Sequence, residues 1–321
     1  MKRVLGVVTM VVVLGSLAAA PPAQSYPTSA ITLVIPLAPG DATDVVGRTM
    51  GDELAKLLKV PVVPVNRPGG GMTIGTDSVV KARKDGYTLL LAPSSGMTAG
   101  RILSPETVTY DPLKDLTPLG MAARSPLVLV VRQDAPFKGF REMVESSKKN
   151  PGKVRVGTAG AGTLGHFSIE LINALTGAGF TTVPFKGGGP GITAILGGHV
   201  EAGIYTVGAL SSHLKSGAVR GVVISSRAPE LPGVPTLSQL GYPQDFPGVW
   251  MAFYGPAGLP ADVSRTLVSA VEKVAKDPAI GAKLAPLGIV QEWAPPDKTL
   301  ADIRDEYRTL QEVARKAGLV K

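Results

Sequence analysis

The feature that most constrains the fold is a predicted buried strand that passes through a glycine-containing loop into a helix, within Ile31–Leu58. The β-branched and aliphatic run Ile31–Ile35 predicts the strand. From Asp44 onward, apolar side chains recur at helical spacing, which predicts the helix, and Thr43 or Asp44 can cap its first turn. The loop between them, Pro36–Thr43, therefore leads from the end of a buried strand to a helix N-terminus.

Three further loops repeat the arrangement of Pro36–Asp44, each after a predicted strand and before a predicted helix: Asn66–Thr73, Gly157–His166 and Lys186–Gly191. The first N–H groups of a helix have no partner inside it, and the helix dipole adds partial positive charge there. In parallel sheets such loops lie at the carboxyl ends of the strands, where ligands bind. If the loops face one another, four helix N-termini converge on one anion.

The order of the predicted elements indicates an α/β protein of two lobes, each a mostly parallel sheet flanked by helices. A chain of 321 residues also suggests about two domains. We predict that lobe I comprises residues 26–125 and 246–321 and that lobe II comprises residues 126–245. The chain then crosses twice between the lobes, and the cleft between them is a preferred place for a ligand.

Residues 1–25 have the pattern of a secretory signal peptide. Lys2 and Arg3 form its charged start, an apolar run follows to Ala20, and Ala23–Ser25 is a suitable cleavage site. The alternative is a membrane anchor, because the run approaches spanning length. The small residues and prolines that follow the run favour the signal peptide, and no later segment is long and apolar enough to span a bilayer.

Composition excludes several classes of protein. The chain has no cysteine, so we expect no disulfide, no thiolate metal site and no lipid-modified cysteine. Without Lys2 and Arg3 the formal net charge falls from +8 to +6, and the basic residues are dispersed without interleaved aromatics, which argues against nucleic-acid binding. No HExxH, G-x-S-x-G or Walker A sequence occurs. We therefore expect neither catalysis nor a cofactor.

One motif leaves an alternative open. Gly160–Gly165 matches G-x-G-x-x-G between a strand and a helix, as in dinucleotide-binding folds. Those folds also require an acidic residue about twenty residues further on. This chain has Thr182–Lys186 in that region, where Lys186 can serve a 2′-phosphate, so an NADP-dependent enzyme stays a minor alternative.

The four loops and their flanking segments together resemble the substrate-binding family of tripartite tricarboxylate transporters, also called Bug or TctC-like proteins. The matching segments cover nearly the whole chain after residue 25 and include YPTSAITLVIP, APGDATDVVGR, VNRPGGGMTIG, KDGYTLLLAPSS, VGTAGAGTLGHFSIELI, VPFKGGGPGITAILGGHVEA, LKSGAVRGVVISSRAPELPGVPTLSQLGYP and W-x-x-x-YGPAGLP. The resemblance implies a type II-like periplasmic binding protein, monomeric, that closes on a small organic carboxylate and delivers it to membrane permease subunits. Its implied ligands are di- and tricarboxylates, acidic amino acids and aromatic acids. A periplasmic sensor that presents its closed form to a signalling protein is the alternative.

We predict that the carboxylate is held mainly by backbone N–H groups of the glycine loops and by threonine hydroxyls. The N–H groups belong to Ala38–Thr43, Gly70–Thr73 and Gly160–Thr163, and the hydroxyls to Thr43, Thr158 and Thr163. The complete set of predicted ligand-binding residues is Leu37, Ala38, Gly40, Asp41, Thr43, Asp44, Gly70, Gly71, Met72, Thr73, Ser94, Thr158, Ala159, Gly160, Gly162, Thr163, His166, Lys186, Gly187, Tyr205 and Thr206.

The chain departs from the family pattern at three places. Asp41 stands where the family usually has a second glycine, Gly165 where it often has serine, and Tyr205-Thr206 where it commonly has Phe-Asp. Asp41 places a negative charge beside the expected carboxylate pocket. It can accept from a ligand ammonium or hydroxyl, or face water.

Overall fold

The computed structural model describes residues 26–316 and 318–320; the predicted signal peptide lies outside these residues. The strands of the described residues are β1 (Ile31–Ile35), β2 (Val62–Asn66), β3 (Thr88–Pro93), β4 (Leu116–Ser125), β5 (Leu127–Arg132), β6 (Arg155–Thr158), β7 (Thr181–Pro184), β8 (Ala202–Thr206), β9 (Val219–Ile224), β10 (Val249–Pro256) and β11 (Val290–Ala294). The α-helices are α1 (Ala42–Leu58), α2 (Thr73–Val80), α3 (Ala99–Leu103), α4 (Phe140–Lys149), α5 (Leu164–Thr176), α6 (Gly188–Leu196), α7 (Val207–Lys215), α8 (Ala261–Ala275), α9 (Pro278–Leu284) and α10 (Pro296–Lys316).

The strands form two sheets. The first has the order β11-β4-β10-β3-β1-β2, and the second has the order β7-β6-β8-β5-β9. In the first sheet β1 pairs in parallel with β2 and β3, and in the second β6 pairs in parallel with β7 and β8. The α/β class is therefore confirmed, and helices that follow parallel strands begin at the carboxyl ends of those strands.

As predicted, most strands of each sheet run in one direction, but both sheets are mixed because each contains an inserted antiparallel strand. Strand β10 lies between β3 and β4 and is antiparallel to both, and β5 lies between β8 and β9 in the same manner. Each inserted strand follows a strand of the other sheet directly along the chain. It enters without a crossover helix, so the rule that makes βαβ units parallel does not apply to it.

The two connections between the sheets lie side by side. The first is Pro126, between β4 and β5, and the second is residues 225–248, between β9 and β10. The Ser225 hydroxyl accepts a hydrogen bond from the Leu127 amide at 3.0 Å, and a Cβ built on Gly248 would lie 3.3 Å from the same hydroxyl. We call the first sheet with its helices lobe I and the second lobe II; the residue boundaries given above stay a prediction.

The helices of the C-terminal segment pack mainly on lobe I, where α8 contacts β4 and α1 and α10 contacts β4 and α3. The turn after α9 also reaches lobe II, because the Pro286 carbonyl accepts from the Ser211 hydroxyl on α7 at 3.2 Å. One large cluster of buried apolar side chains runs from Leu33 through Leu127 and Val249 to Val156. The hydrophobic core is thus continuous past the connections.

Strand β4 was not expected from the sequence. It contains Pro118 and Gly120, and its pairing with β10 shifts register twice, between Met251 and Ala252 and between Phe253 and Tyr254. Each shift inserts an extra residue in β4, which breaks the alternation of side chains that identifies a strand. Helices α3 and α9 and strand β11 are short and were also missed. Within residues 26–316 and 318–320, no helix is both long enough and apolar enough to cross a membrane.

Candidate ligand-binding cleft

The four glycine-containing loops meet in pairs across the cleft between the lobes. Loop 36–44 faces loop 186–191: a Cβ built on Gly187 would lie 2.8 Å from the Ala38 Cβ. Loop 66–73 faces loop 157–166: a Cβ built on Gly71 would lie 2.3 Å from the Ala161 carbonyl oxygen. Glycine is needed at both places because the backbones of the two lobes are in contact there.

An inner cavity lies between these loops and receives residues from both lobes. Eight of its lining residues were predicted from the sequence: Leu37, Asp41, Thr43, Met72, Ala159, Thr163, Tyr205 and Thr206. Asp41 is the one acidic or basic residue (Asp, Glu, Lys, Arg or His) among those that line it. The inner cavity is therefore apolar over most of its wall, with a single acidic group.

A larger outer cavity adjoins the inner one and shares Leu37, Met72 and Ala159 with it. It adds four predicted residues: Gly70, Gly71, Gly160 and Lys186. The exposed Lys186 is the charged side chain of this wall. The cleft thus has an acidic inner end and a basic mouth.

Met72 projects into both cavities from a strained backbone. Its φ is +82°, in the region that L side chains rarely adopt, and its side chain is 2% exposed. Its Sδ accepts a weak hydrogen bond of 3.8 Å from the Ser95 hydroxyl. Strain of this kind persists where the surrounding structure fixes the residue, and it is frequent at binding sites.

Asp41 is the N-cap of α1, so the helix begins two residues before the predicted start and neither Thr43 nor Asp44 is its cap. The Asp41 Oδ1 accepts from the Thr43 amide at 2.9 Å. Burial raises the pKa of the Asp41 carboxyl, although the amide and hydroxyl of Thr43 and the amide of Gly188 lower it; the charge of Asp44 adds to the rise. Gly188 begins α6 in lobe II, so this carboxyl faces helix N-termini of both lobes.

Asp44 braces the loop and does not line either cavity. Its carboxylate accepts from the Gly40 amide at 3.0 Å, from the Asn66 side-chain amide at 2.9 Å and from the Arg48 guanidinium at 3.0 Å. Burial acts to raise the pKa of Asp44, but these hydrogen bonds and the Arg48 charge outweigh it and lower the pKa. These contacts give Asp44 a structural role in the loop, and its predicted contact with the ligand stays a prediction.

The N-terminus of α5 offers backbone donors to the inner cavity. Thr163 caps the helix by accepting from the His166 amide at 3.2 Å, and His166 Nδ1 in turn accepts from the Gly162 amide at 3.1 Å. The amides of Leu164 and Gly165 have no acceptor among residues 26–316 and 318–320, and both residues line the inner cavity. An anion placed here meets two unpaired N–H groups and the positive end of the helix dipole.

Several of the donors predicted for the ligand are already used inside the loops. The hydroxyls of Thr158 and Thr163 donate to the Gly160 carbonyl at 3.3 Å and 2.8 Å, and the Thr43 hydroxyl is bonded to Asp41. The amides of Gly40, Thr43 and Gly162 are likewise bonded to side chains of their own loops. These groups are therefore satisfied within their own loops, and their predicted contact with the ligand stays a prediction.

Nine predicted residues line neither cavity: Ala38, Gly40, Asp44, Thr73, Ser94, Thr158, Gly162, His166 and Gly187. Most of them shape the loops or touch the opposite lobe. Ser94 is fully buried within lobe I, whereas its neighbour Ser95 lines the inner cavity. Both lie in a tight turn, where adjacent side chains point in different directions.

The sequence reasoning missed seven residues of the inner wall: Pro93, Ser95, Leu127, Leu164, Gly165, Ile204 and Val249. Leu127 and Val249 begin the two strands that enter from the other sheet, so they form the floor of the cleft. Leu164 and Gly165 follow the Thr163 cap, and their place at a helix start was the signal for a backbone donor.

Tyr205 lies under α6 beside Asp41. Burial raises the pKa of its hydroxyl well above its usual value, and the Asp41 charge adds to the rise, so the phenol is neutral. Its hydroxyl oxygen has no partner in the described part of the chain, and a Cβ built on Gly191 would lie 1.8 Å from it. Glycine at 191 is thus what admits a tyrosine at this position. The described residues contain no group of three or more His, Cys, Asp or Glu arranged to hold a metal ion.

The structure is that of a two-lobe solute-binding protein. It has two mixed sheets flanked by helices, two adjacent connections between the lobes and a cavity lined by residues of both lobes. The chain belongs to the family described as "Tripartite tricarboxylate transporter family receptor", whose model matches residues 46–319. This result confirms the resemblance seen in the loop sequences.

Individual relatives agree with this assignment. The chain is 34% identical over 320 residues to Protein BugT of Bordetella pertussis, covering 99% of this chain and 98% of that protein. The solved structure of the periplasmic binding protein BugD has a TM-score of 0.86 and 29% identity, covering 92% of this chain and 100% of that one. MatC of Rhodopseudomonas palustris with bound malate has a TM-score of 0.84 and 29% identity, covering 90% and 99%.

Proposed function

We propose that this protein is a periplasmic receptor that captures a small organic carboxylate in the inner cavity. The observation that carries the proposal is the pair of unpaired amides of Leu164 and Gly165, two residues that line the inner cavity between the lobes. Neutral dipoles attract an anion without the strong ion pair that would slow its release. The malate bound to MatC, a structural neighbour, supports a carboxylate ligand.

The periplasmic location rests on two arguments of different kinds. The N-terminal sequence has the charged start, apolar run and small-residue site of an export signal. BugD, with the same fold, is described as a periplasmic binding protein. Export through a signal that is cleaved would release the mature chain into that compartment.

We further propose that the receptor acts without catalysis and hands its ligand to a membrane permease of the tripartite tricarboxylate type. The family description, a transporter receptor, supports both points. A sensor that presents the closed form to a signalling protein would use the same cleft. Capture of membrane proteins on the ligand-loaded receptor separates the two, because delivery requires a permease among the captured chains.

The ligand class can be tested by a thermal-shift screen of mono-, di- and tricarboxylates, amino acids, aromatic acids, sugars and NADP. A ligand at a hundred times its Kd stabilises the native state by about 2.7 kcal/mol. For a protein of this size that corresponds to roughly 2–4 °C in Tm per kcal/mol. We expect shifts only from compounds with a carboxylate, and loss of each shift when that group is replaced by its amide.

A clear shift from a neutral sugar or from NADP, with none from any carboxylate, would overturn the proposed function. The amide analogues are the matched controls, since they keep the shape of each ligand and remove its charge.

A further inference from the structure

We propose that the inner cavity selects a ligand that carries an ammonium group as well as its carboxylate, and that Asp41 receives the ammonium. The inference rests on the proposed function, because it concerns the same cavity. Asp41 is 6% exposed and is the one charged side chain of the inner wall. A ligand that fills this cavity therefore lies against a carboxylate.

The charge of Asp41 has no cationic partner among residues 26–316 and 318–320. The salt bridges of this region include Arg48 with Asp44, and none includes Asp41. A buried carboxylate without a cation is costly, and that cost is removed when a cation from the ligand occupies the site. Of the groups that small organic acids carry, an ammonium supplies both the charge and the hydrogen-bond donors that Asp41 lacks.

Burial raises the pKa of Asp41, but the groups nearest its carboxyl oxygens favour the ionised form. Its Oδ1 accepts from the Thr43 amide at 2.9 Å, and its Oδ2 faces Gly188, where a Cβ would lie 3.2 Å away. The dipoles of α1 and α6 both direct positive charge toward it. Protonation of the carboxyl would occupy one of its acceptor positions. These donors therefore act to lower the pKa of Asp41, whereas burial acts to raise it.

The opposite wall of the inner cavity supplies the site for the carboxylate. The amides of Leu164 and Gly165 belong to lobe II, and Asp41 belongs to lobe I. A ligand with both groups is bound by both lobes at once, so it favours the closed arrangement. A dicarboxylate of the same length would place its second carboxylate against Asp41, where like charges repel.

Isothermal titration calorimetry with matched pairs of ligands tests the inference. The pairs are succinate with aspartate, glutarate with glutamate, propionate with alanine, and butyrate with 4-aminobutyrate. We expect the amino member of at least one pair to bind at least tenfold more tightly than its partner. This comparison uses the unaltered protein, so it does not depend on the folding of any variant.

The variant Asp41→Asn then tests whether Asp41 causes the preference for the amino member of each pair. Asparagine is an equally good N-cap and accepts from the Thr43 amide, but it carries no charge. We expect Asp41→Asn to bring the ratio within each pair close to one and to leave the Tm without ligand at or above that of the parent. Asp52→Asn, an exposed acid on the same helix, is the matched control and should keep the tenfold preference.

The outcomes separate the inference from the function on which it rests. Tight binding of a dicarboxylate with no advantage for its amino partner, or a preference that survives Asp41→Asn, would overturn the inference and leave the receptor proposal standing. The titratable groups beside Asp41 are Asp44 and Tyr205. If Asp41 takes up a proton when a dicarboxylate binds, the inference is also overturned. Binding of no carboxylate at all would overturn both.

Discussion

Loop 36–44 in lobe I and loop 157–166 in lobe II are built alike but present opposite electrostatics to the cleft. Each follows a parallel strand, β1 or β6, and each ends in an N-cap residue that lines the inner cavity. In lobe I the cap is Asp41, and loop amides are bonded to two carboxylates. In lobe II the cap is the neutral Thr163, and amides at the start of α5 stay unpaired.

The comparison teaches that a helix N-terminus is an anion site only when the side chain of its N-cap residue is neutral. An aspartate cap satisfies the helix as well as a threonine cap does, but it adds a negative charge to the place where an anion would lie. The same strand–loop–helix unit therefore supplies an anion site in one lobe and a cation site in the other. Exchanging the caps tests this account directly.

The largest effect is expected from Thr163→Asp, which gives lobe II the cap of lobe I. Aspartate keeps the capping of α5, but it adds a negative charge beside the proposed carboxylate. For an assumed separation of about 5 Å and an effective dielectric constant of about 20, that repulsion is about 3 kcal/mol. We expect carboxylate affinity, measured by calorimetry, to fall about a hundredfold.

Thr163→Asn is the matched control, because it has the shape of the aspartate and no charge. It should bind within a few-fold of the parent, and both variants should fold, as judged by circular dichroism. Equal affinity in Thr163→Asp and Thr163→Asn would mean that the carboxylate does not lie at the start of α5.

A smaller effect is expected within loop 36–44, where two neighbouring acids have pKa shifts of opposite sign. The pKa of Asp44 is lowered, so its stabilisation is present above the unfolded value of 3.8 and is lost as pH falls through the folded pKa. We expect Asp44→Asn to lose about 2 kcal/mol of stability at pH 7, as for hydrogen bonds to a charged group. The loss should shrink as the pH falls below 4.

Asp41→Asn should behave in the opposite way. The pKa of Asp41 is raised, so its ionised form costs stability above the folded pKa, and that cost disappears as pH falls toward 3.8. Thermal denaturation of both variants and the parent between pH 3 and 8 measures the two trends. Curves of the same sign for the two variants would contradict the separation of a bracing acid from a cavity acid.

The sequence predicts an element well where its apolar pattern is unbroken. Strand β1 has the bounds expected for it, because its β-branched and aliphatic run is continuous. Strand β4 was missed because its bulges interrupt the alternation. The antiparallel placement of β5 and β10 was not predicted, because it depends on the crossing between the lobes, which the local sequence pattern does not record.

The candidate site was also predictable from the sequence only in part. Glycine loops before helices located the cleft, since only such loops bring two backbones together. Which amides stay free depends on side-chain capping, as at Thr163 and His166, and capping is decided by rotamers that the sequence does not specify. Asp41 was singled out from the sequence by its departure from the family pattern, but its buried position between two helix N-termini required the structure.

The smallest expected effect concerns His166, which supports the lobe II loop from outside the cavity. Burial lowers the pKa of His166 from 6.5, although Glu170 at 3.7 Å acts to raise it. Its neutral Nδ1 accepts from the Gly162 amide, and protonation removes that acceptor, so support of the loop is lost as pH falls from 6.5 through the folded pKa. We expect the ratio of ligand affinity at pH 7 to that at pH 5 to be a few-fold larger in the parent than in His166→Asn. This difference corresponds to about 1 kcal/mol, the size of one hydrogen bond.

Asparagine at position 166 keeps an acceptor and does not titrate. The variant His199→Asn, at an exposed site, controls for the loss of a histidine elsewhere. A pH ratio that is the same in all three proteins would show that this hydrogen bond does not hold the α5 amides in place for the ligand.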